Sequence, residues 1–177
     1  MKNAYPEKPV LPYQKTSVSM NDVIAYIQSV DTPVEVKRAA YCFFRFESAN
    51  GTKGLNNNYA GIQADGVRWP AIYDDTIAGT VIKKENGPSG KDRIFIAFNN
   101  WHDSLNFTIS NTTRRGLFIG GKTFLITQME VLTPTDLCIA YKREWVTGSA
   151  AYNPADTEIA SFVNTYNKGA GIFVAPN

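Results

Sequence analysis

Histidine and cysteine are scarce in this chain, which has one His and two Cys in 177 residues. Neither type recurs at a metal-ligand spacing, so no structural zinc site and no cofactor are expected. Cys42 and Cys138 stand far apart, each in an apolar helical context where a free thiol behaves as a small hydrophobe. Two buried thiols are therefore expected rather than a disulfide. An excess of one charge sign is lacking as well. Eighteen Lys and Arg against sixteen Asp and Glu leave a net charge of +2, too little to point to nucleic acid. No apolar run approaches the ~20 residues that span a bilayer. The start of the chain, Met1-Lys2-Asn3-Ala4-Tyr5-Pro6, holds no apolar segment, so no signal peptide is expected.

What is present is an ordinary globular composition, 44% hydrophobic and 19% charged. A chain of this length can bury a core without disulfide or metal staples. Pro6, Pro9 and Pro12 mark residues 1–16 as an extended arm, and a single monomeric domain is expected over residues 17–177. Ser19 and Asp22 open a first helix carrying Val23, Ile24, Ile27 and Val30 at helical spacing. Thr32-Pro33-Val34-Glu35 starts a second, with Thr at the N-cap and Pro at the first helical position, running to about Ser48. Between Tyr59 and Ile82 the pattern becomes extended, and Thr80-Val81-Ile82 leads into an Asn86-Gly87-Pro88 turn. Helical spacing returns at Ile94, Phe98, Trp101 and Leu105, and again over about residues 118–131. Two later helices begin at Thr133-Pro134-Thr135-Asp136, stopped by Gly148, and at Asn153-Pro154-Ala155-Asp156, with Gly169 beyond the end. The fold class expected is α+β, mostly helical, with a small antiparallel hairpin after the second helix.

Glu47 is the residue that points to chemistry. On a wheel of the second helix, Val36, Ala40 and Phe43 fall within about 60° of one another and Glu47 lands among them, away from Lys37, Arg38 and Arg45. A carboxyl held against apolar groups in the last turn of a helix resists ionisation through desolvation and through the helix dipole. Such a group can serve as a general acid near neutral pH. The plainer alternative is a helix-end residue that turns to solvent or pairs with Lys53 or Arg68. The segment that follows, Asn56-Asn57-Asn58-Tyr59-Ala60-Gly61-Ile62-Gln63, supplies amides and an aromatic ring of the kind that hold sugars. Successive asparagines also suit a turn, since Asn tolerates left-handed backbone. Trp69 reads equally as cleft wall or core. His102 reads as structural, Arg114-Arg115 as a surface pair, and Gly120-Gly121-Lys122-Thr123 as a loop rather than a phosphate cradle.

A helix ending in Glu47-Ser48, a short glycine-containing loop, then Asn57-Asn58-Tyr59-Ala60-Gly61-Ile62 resembles the lysozyme superfamily. Within it the likeness is to the glucosaminidase branch of flagellar and autolysin-type peptidoglycan hydrolases. The resemblance is tight over about residues 41–63, looser through Trp69 to Phe98-Asn99-Asn100-Trp101, and faint at Tyr152-Asn153-Pro154. It implies a lysozyme-like fold that cleaves the glycan strand of peptidoglycan, with Glu47 donating a proton to the glycosidic oxygen. It places Asn57, Asn58, Tyr59, Gln63, Trp69 and Tyr152 at the substrate. Glu85, just before the Asn86-Gly87 turn, is the nearest match to the family's second acid, although a lysine stands about where that acid would be. Asp65, Asp74, Asp75 and Asp92 are the other candidates. Two carboxylates would give hydrolysis; Glu47 alone, taking a proton back from the sugar's own hydroxyl, would give a lytic transglycosylase. A wall-binding or virion structural protein without catalysis is the third reading. With no leader expected, the protein would be made in the cytoplasm and act on the cell wall or periplasm, as a phage lysis or virion-associated protein or an injected effector.

Overall fold

The computed structural model describes residues 1–84 and 90–175. Ser19 caps helix α1 (Met20–Ser29): its Oγ accepts from the Asp22 backbone N–H at 3.1 Å and donates to the Asp22 carboxylate at 2.7 Å. Helix α2 (Val34–Ser48) follows. Its first helical bond runs from Lys37 N–H to the Pro33 carbonyl, so Pro33 is the capping residue, one position later than the Thr32 cap expected. The fold is a mixture of helices and small antiparallel sheets. Two compact units are formed, Met1–Val23 with Phe44–Phe107, and Ile24–Phe43 with the chain from Thr108 onward.

In the first unit, short strands β1 (Lys15–Thr16) and β2 (Gly54–Leu55) pair antiparallel. A longer hairpin is built from β3 (Ile77–Lys84) and β4 (Asp92–Phe98), with Val81 opposite Phe95, Lys84 opposite Asp92 and a bulge between Ile77 and Gly79. Residues 86–88, where a turn was expected, lie outside the described residues. Ile94 and Phe98 were expected in a helix and stand in a strand. Their spacing of four is shared by both periods, and Ile94, Ile96 and Phe98, all buried, follow the alternation of a strand. Helix α3 (Trp101–Arg114) starts only after Asn99 and Asn100.

The N-terminal arm turns once at residues 6–8, where Lys8 N–H donates to the Tyr5 carbonyl, and is a working part of this unit. Thr80 N–H donates to the Pro9 carbonyl and Leu11 N–H to the Thr80 carbonyl, which brings the arm alongside β3. A side chain at Gly79 would meet the Pro9 carbonyl oxygen at 2.6 Å, so only glycine admits the arm there. Tyr5 is fully buried, and its hydroxyl accepts from Trp69 N–H at 3.0 Å. Trp69, Tyr73 and Phe98 gather round Phe107 at centroid distances of 4.8, 4.7 and 5.7 Å.

In the second unit, Thr133 and Asp136 form a reciprocal capping box at the start of α4 (Pro134–Tyr141). A π-helical turn, Lys142–Thr147, continues it to Gly148, whose left-handed backbone ends the helix. Helix α5 (Asp156–Ile172) runs through Gly169 rather than stopping before it. Gly169 is buried where a Cβ would stand 3.0 Å from the Tyr41 ring, so its role is close packing. Phe43 stacks on Tyr141 at 4.6 Å. Cys42 and Cys138 are both buried and stand outside any disulfide. Residues 118–131 form no helix. They fold as a loop closed by Gly120 N–H on Val131 C=O and Thr123 N–H on Met129 C=O. The buried Glu144 carboxylate accepts from the amides of Ile126 and Thr127, giving these N–H groups partners that a helix would otherwise have supplied. No described helix is long and apolar enough to cross a membrane.

Two stability predictions follow from these elements. Gly51 has φ +81°, and a Cβ there would stand 2.3 Å from the Val18 carbonyl oxygen. Gly51→Ala is expected to destabilise the fold by roughly 2–4 kcal/mol in denaturant unfolding, from left-handed strain plus the collision. Glu158 is held down to about 2 from an ordinary 4.5, chiefly by the Lys142 ammonium at 2.6 Å and then by Ala155 N–H and the Tyr152 hydroxyl. A depressed carboxyl stabilises the fold above about pH 4.5, and that contribution is lost as pH falls toward 2. Thermal melts of wild type and Glu158→Gln should therefore differ at pH 6 and converge toward pH 2.

Candidate functional site

The end of α2 is turned by its own last residue. Ser48, fully buried, donates its hydroxyl to the Phe44 carbonyl and accepts from Gly51 N–H at 2.8 Å. Ala49, Asn50 and Gly51 then take left-handed backbone in succession, with φ of 48°, 58° and 81°. Lys53 N–H returns to the Ser48 carbonyl at 2.9 Å. This tight reversal brings the chain straight back past Glu47 and sets Lys53 beside the helix end.

A cleft of about 310 Å³ opens there, lined by Glu47, Lys53, Leu55, Asn58, Tyr59, Gly61, Gln63, Lys83, Lys84 and Phe95. Four of the residues singled out in the sequence, Glu47, Asn58, Tyr59 and Gln63, thus meet at one place. Glu47 is partly exposed and is the one carboxylate among the described lining residues. Facing it are the hairpin residues Lys83, Lys84 and Phe95.

The asparagines build the wall. Asn56 and Asn57 both have left-handed backbone, φ 46° and 62°. The Asn56 amide bonds the arm through Gln14 N–H at 2.7 Å and the Pro12 carbonyl at 3.0 Å. Asn57 donates to the Phe98 carbonyl at 3.2 Å and is not among the lining residues. Asn58 is 2% exposed and its amide is saturated. It donates to the carbonyls of Ile62 and Ile96, each at 2.8 Å, and accepts from the N–H groups of Ala60 and Ile62 at 3.3 and 3.0 Å. An amide has two donor hydrogens and two acceptor sites, so Asn58 keeps none for a ligand. Its part in the cleft is to hold residues 58–63 against β4.

Tyr59 is buried and stacks on Phe44 at 5.3 Å; burial raises its hydroxyl above the ordinary tyrosine range. Gln63 pairs with Phe95 of β4, and its side-chain oxygen accepts from Arg93 at 2.5 Å. Arg93 also lies 3.2 Å from the Asp65 carboxylate, which joins Asp65 to the wall's support rather than to the lining. Asp74 is bound to Arg68 at 2.7 Å, and Asp92 stands 3.4 Å from Lys84. Trp69 sits in the aromatic cluster on Phe107 and is not in the lining. Tyr152 belongs to the other unit, where it donates to Glu158 at 3.0 Å. Glu85 lies outside the described residues.

No family model matches the chain, and no curated protein or solved structure matches it. Chemistry must therefore be read from the cleft itself. Its described lining holds one carboxyl, the Tyr59 ring, an apolar patch from Leu55 and Phe95, the carboxamide of Gln63, and three lysines. The lysines Lys53, Lys83 and Lys84 were not singled out in the sequence as ligand-binding residues. The signals for them were Lys53 as a possible partner of Glu47 and the lysine standing near the position where a second acid is expected. Among the described residues no group of His, Cys, Asp and Glu is placed to hold a metal ion.

Removing the Asn58 amide tests its structural role. Asn58→Ala strands the buried N–H groups of Ala60 and Ile62 and the Ile96 carbonyl, while the Ile62 carbonyl keeps the Ile96 N–H, and the change is expected to cost about 3 kcal/mol in denaturant unfolding. A loss under about 0.5 kcal/mol would show that the amide does not hold the wall.

Proposed function

We propose that this chain cleaves the glycan strands of peptidoglycan, with Glu47 as the general acid, on a lysozyme-like fold. The observation that carries the reading is Glu47 at the end of a helix, opening on a cleft whose other wall is the β3–β4 hairpin. The Asn-Asn-Tyr-Ala-Gly-Ile segment, which carries the sequence resemblance, forms part of the same cleft through Asn58, Tyr59 and Gly61. In the reaction the glycosidic oxygen takes the Glu47 proton as the bond to the anomeric carbon breaks, leaving an oxocarbenium-like sugar. Glu47, now a carboxylate, can recover a proton from whichever hydroxyl attacks next.

Two outcomes follow for that second half. Hydrolysis uses water and a second carboxylate, for which Glu85, the next residue after Lys84, is the candidate. A lytic transglycosylase uses the sugar's own hydroxyl and needs Glu47 alone. The lysines on the described wall, with Glu47 as its one carboxylate, favour the second route.

Glu47→Gln is expected to lower the rate of lysis of purified cell walls by about 100-fold or more while leaving the melting temperature within a few degrees. Full activity in that variant would remove Glu47 from the mechanism. Mass spectrometry of the products distinguishes reducing ends, from hydrolysis, from anhydro ends, from transglycosylation. A wild-type protein that binds walls and releases no fragments would leave a binding protein on the same site.

A further inference from the structure

Among the described residues, the cleft carries more positive charge than a neutral sugar chain requires. Its described lining holds three ammonium groups, from Lys53, Lys83 and Lys84, against the single Glu47 carboxylate. These lysines do not come from one basic run. Lys53 stands on the reversal after α2, while Lys83 and Lys84 stand at the end of β3, so two separate elements bring cations to the same opening. Lys83 has its ammonium 5.2 Å from the centroid of the Tyr13 ring. That contact orients the group without cancelling its charge. Lys84 is partly offset by Asp92 at 3.4 Å, on a surface where both side chains are exposed. Net positive potential in a concave site raises the local concentration of anions and weakens with salt.

We propose that the cleft selects glycan strands bearing free carboxylates, as on the stem peptides of peptidoglycan, over neutral β-linked N-acetylglucosamine chains, with Lys53 and Lys83 as the selecting cations. Amides and aromatic rings bind either kind of chain; only the ammonium groups tell them apart. The inference rests on the cleft being a glycan site, and its test separates the two ideas.

Binding is measured calorimetrically with the Glu47→Gln protein, so that turnover does not interfere. Three ligands of equal strand length are compared: strands with free stem-peptide carboxylates, the same strands with those carboxylates amidated, and neutral chito-oligosaccharides. The free-acid strands are expected to bind about tenfold more tightly at low salt, with the advantage shrinking at 0.5 M NaCl, on the order of a 4 Å screening length. Adding Lys53→Gln or Lys83→Gln should each weaken free-acid binding about two- to fivefold, leave chito-oligosaccharide binding unchanged, and exceed the effect of Lys84→Gln. Equal affinity for free-acid and amidated strands, while chito-oligosaccharides still bind, overturns the charge selection and leaves the glycan site standing. Absence of binding to all three ligands overturns the glycan site and this inference with it.

Discussion

A single buried amide governs the geometry of the cleft. Asn58 joins its own turn to β4 through four hydrogen bonds, two of them to carbonyls and two from backbone N–H groups. These backbone groups belong to buried residues, and all but the Ile62 carbonyl, which also accepts from Ile96 N–H, would be costly without this partner. With the bonds in place, Ile62 lies against Ile96 and Gln63 against Phe95, and the segment becomes an extra edge of the hairpin. Backbone bonds from Ile96 N–H to the Ile62 carbonyl and from Ala64 N–H to the Ile94 carbonyl fasten the same segment, and the Asn58 amide adds the bonds that close its turn.

The opposite wall depends on how α2 stops. A helix leaves its last carbonyls without intrahelical partners, and here Ser48, the left-handed run and Lys53 N–H absorb them within a few residues. Glu47 is therefore held on a helix end whose neighbours Phe44 and Ser48 are buried, while Glu47 itself opens toward solvent. That combination suits a proton donor, which needs a rigid backbone beneath it and an open approach above. It also places Lys53 at the cleft, so the same reversal sets both the Glu47 carboxyl and a cation.

Much of the secondary structure could be read from local residues. Ser19, Thr133 with Asp136, and Gly148 marked helix ends because caps act on groups within four residues of themselves. Thr80-Val81-Ile82 marked a strand by its β-branching. The errors share a cause. Ile94 and Phe98 satisfy helix and strand periods equally, and pairing with β3 settles the choice. Residues 118–131 have apolar content enough for a helix, yet Phe124 and Leu125 are exposed, and Glu144 takes the loop amides from 17 or 18 residues away. Gly169 reads as a stop in one dimension and is a packing site beside Tyr41 in three.

The sequence by itself determined the helix ends at Ser19, Thr133 and Gly148, the buried cysteines, the β3 strand and the place of Glu47 on the helix wheel among Val36, Ala40 and Phe43. All of these depend on neighbours within one or two turns of chain. Which side chains meet Glu47 was decided only by tertiary structure, because Lys83, Lys84 and Phe95 come from 36 to 48 positions further along. The same holds for the asparagines. Turn-building and sugar-holding look alike in a run of amides, and the difference lies in whether Ile96, 38 residues away, accepts the bond first.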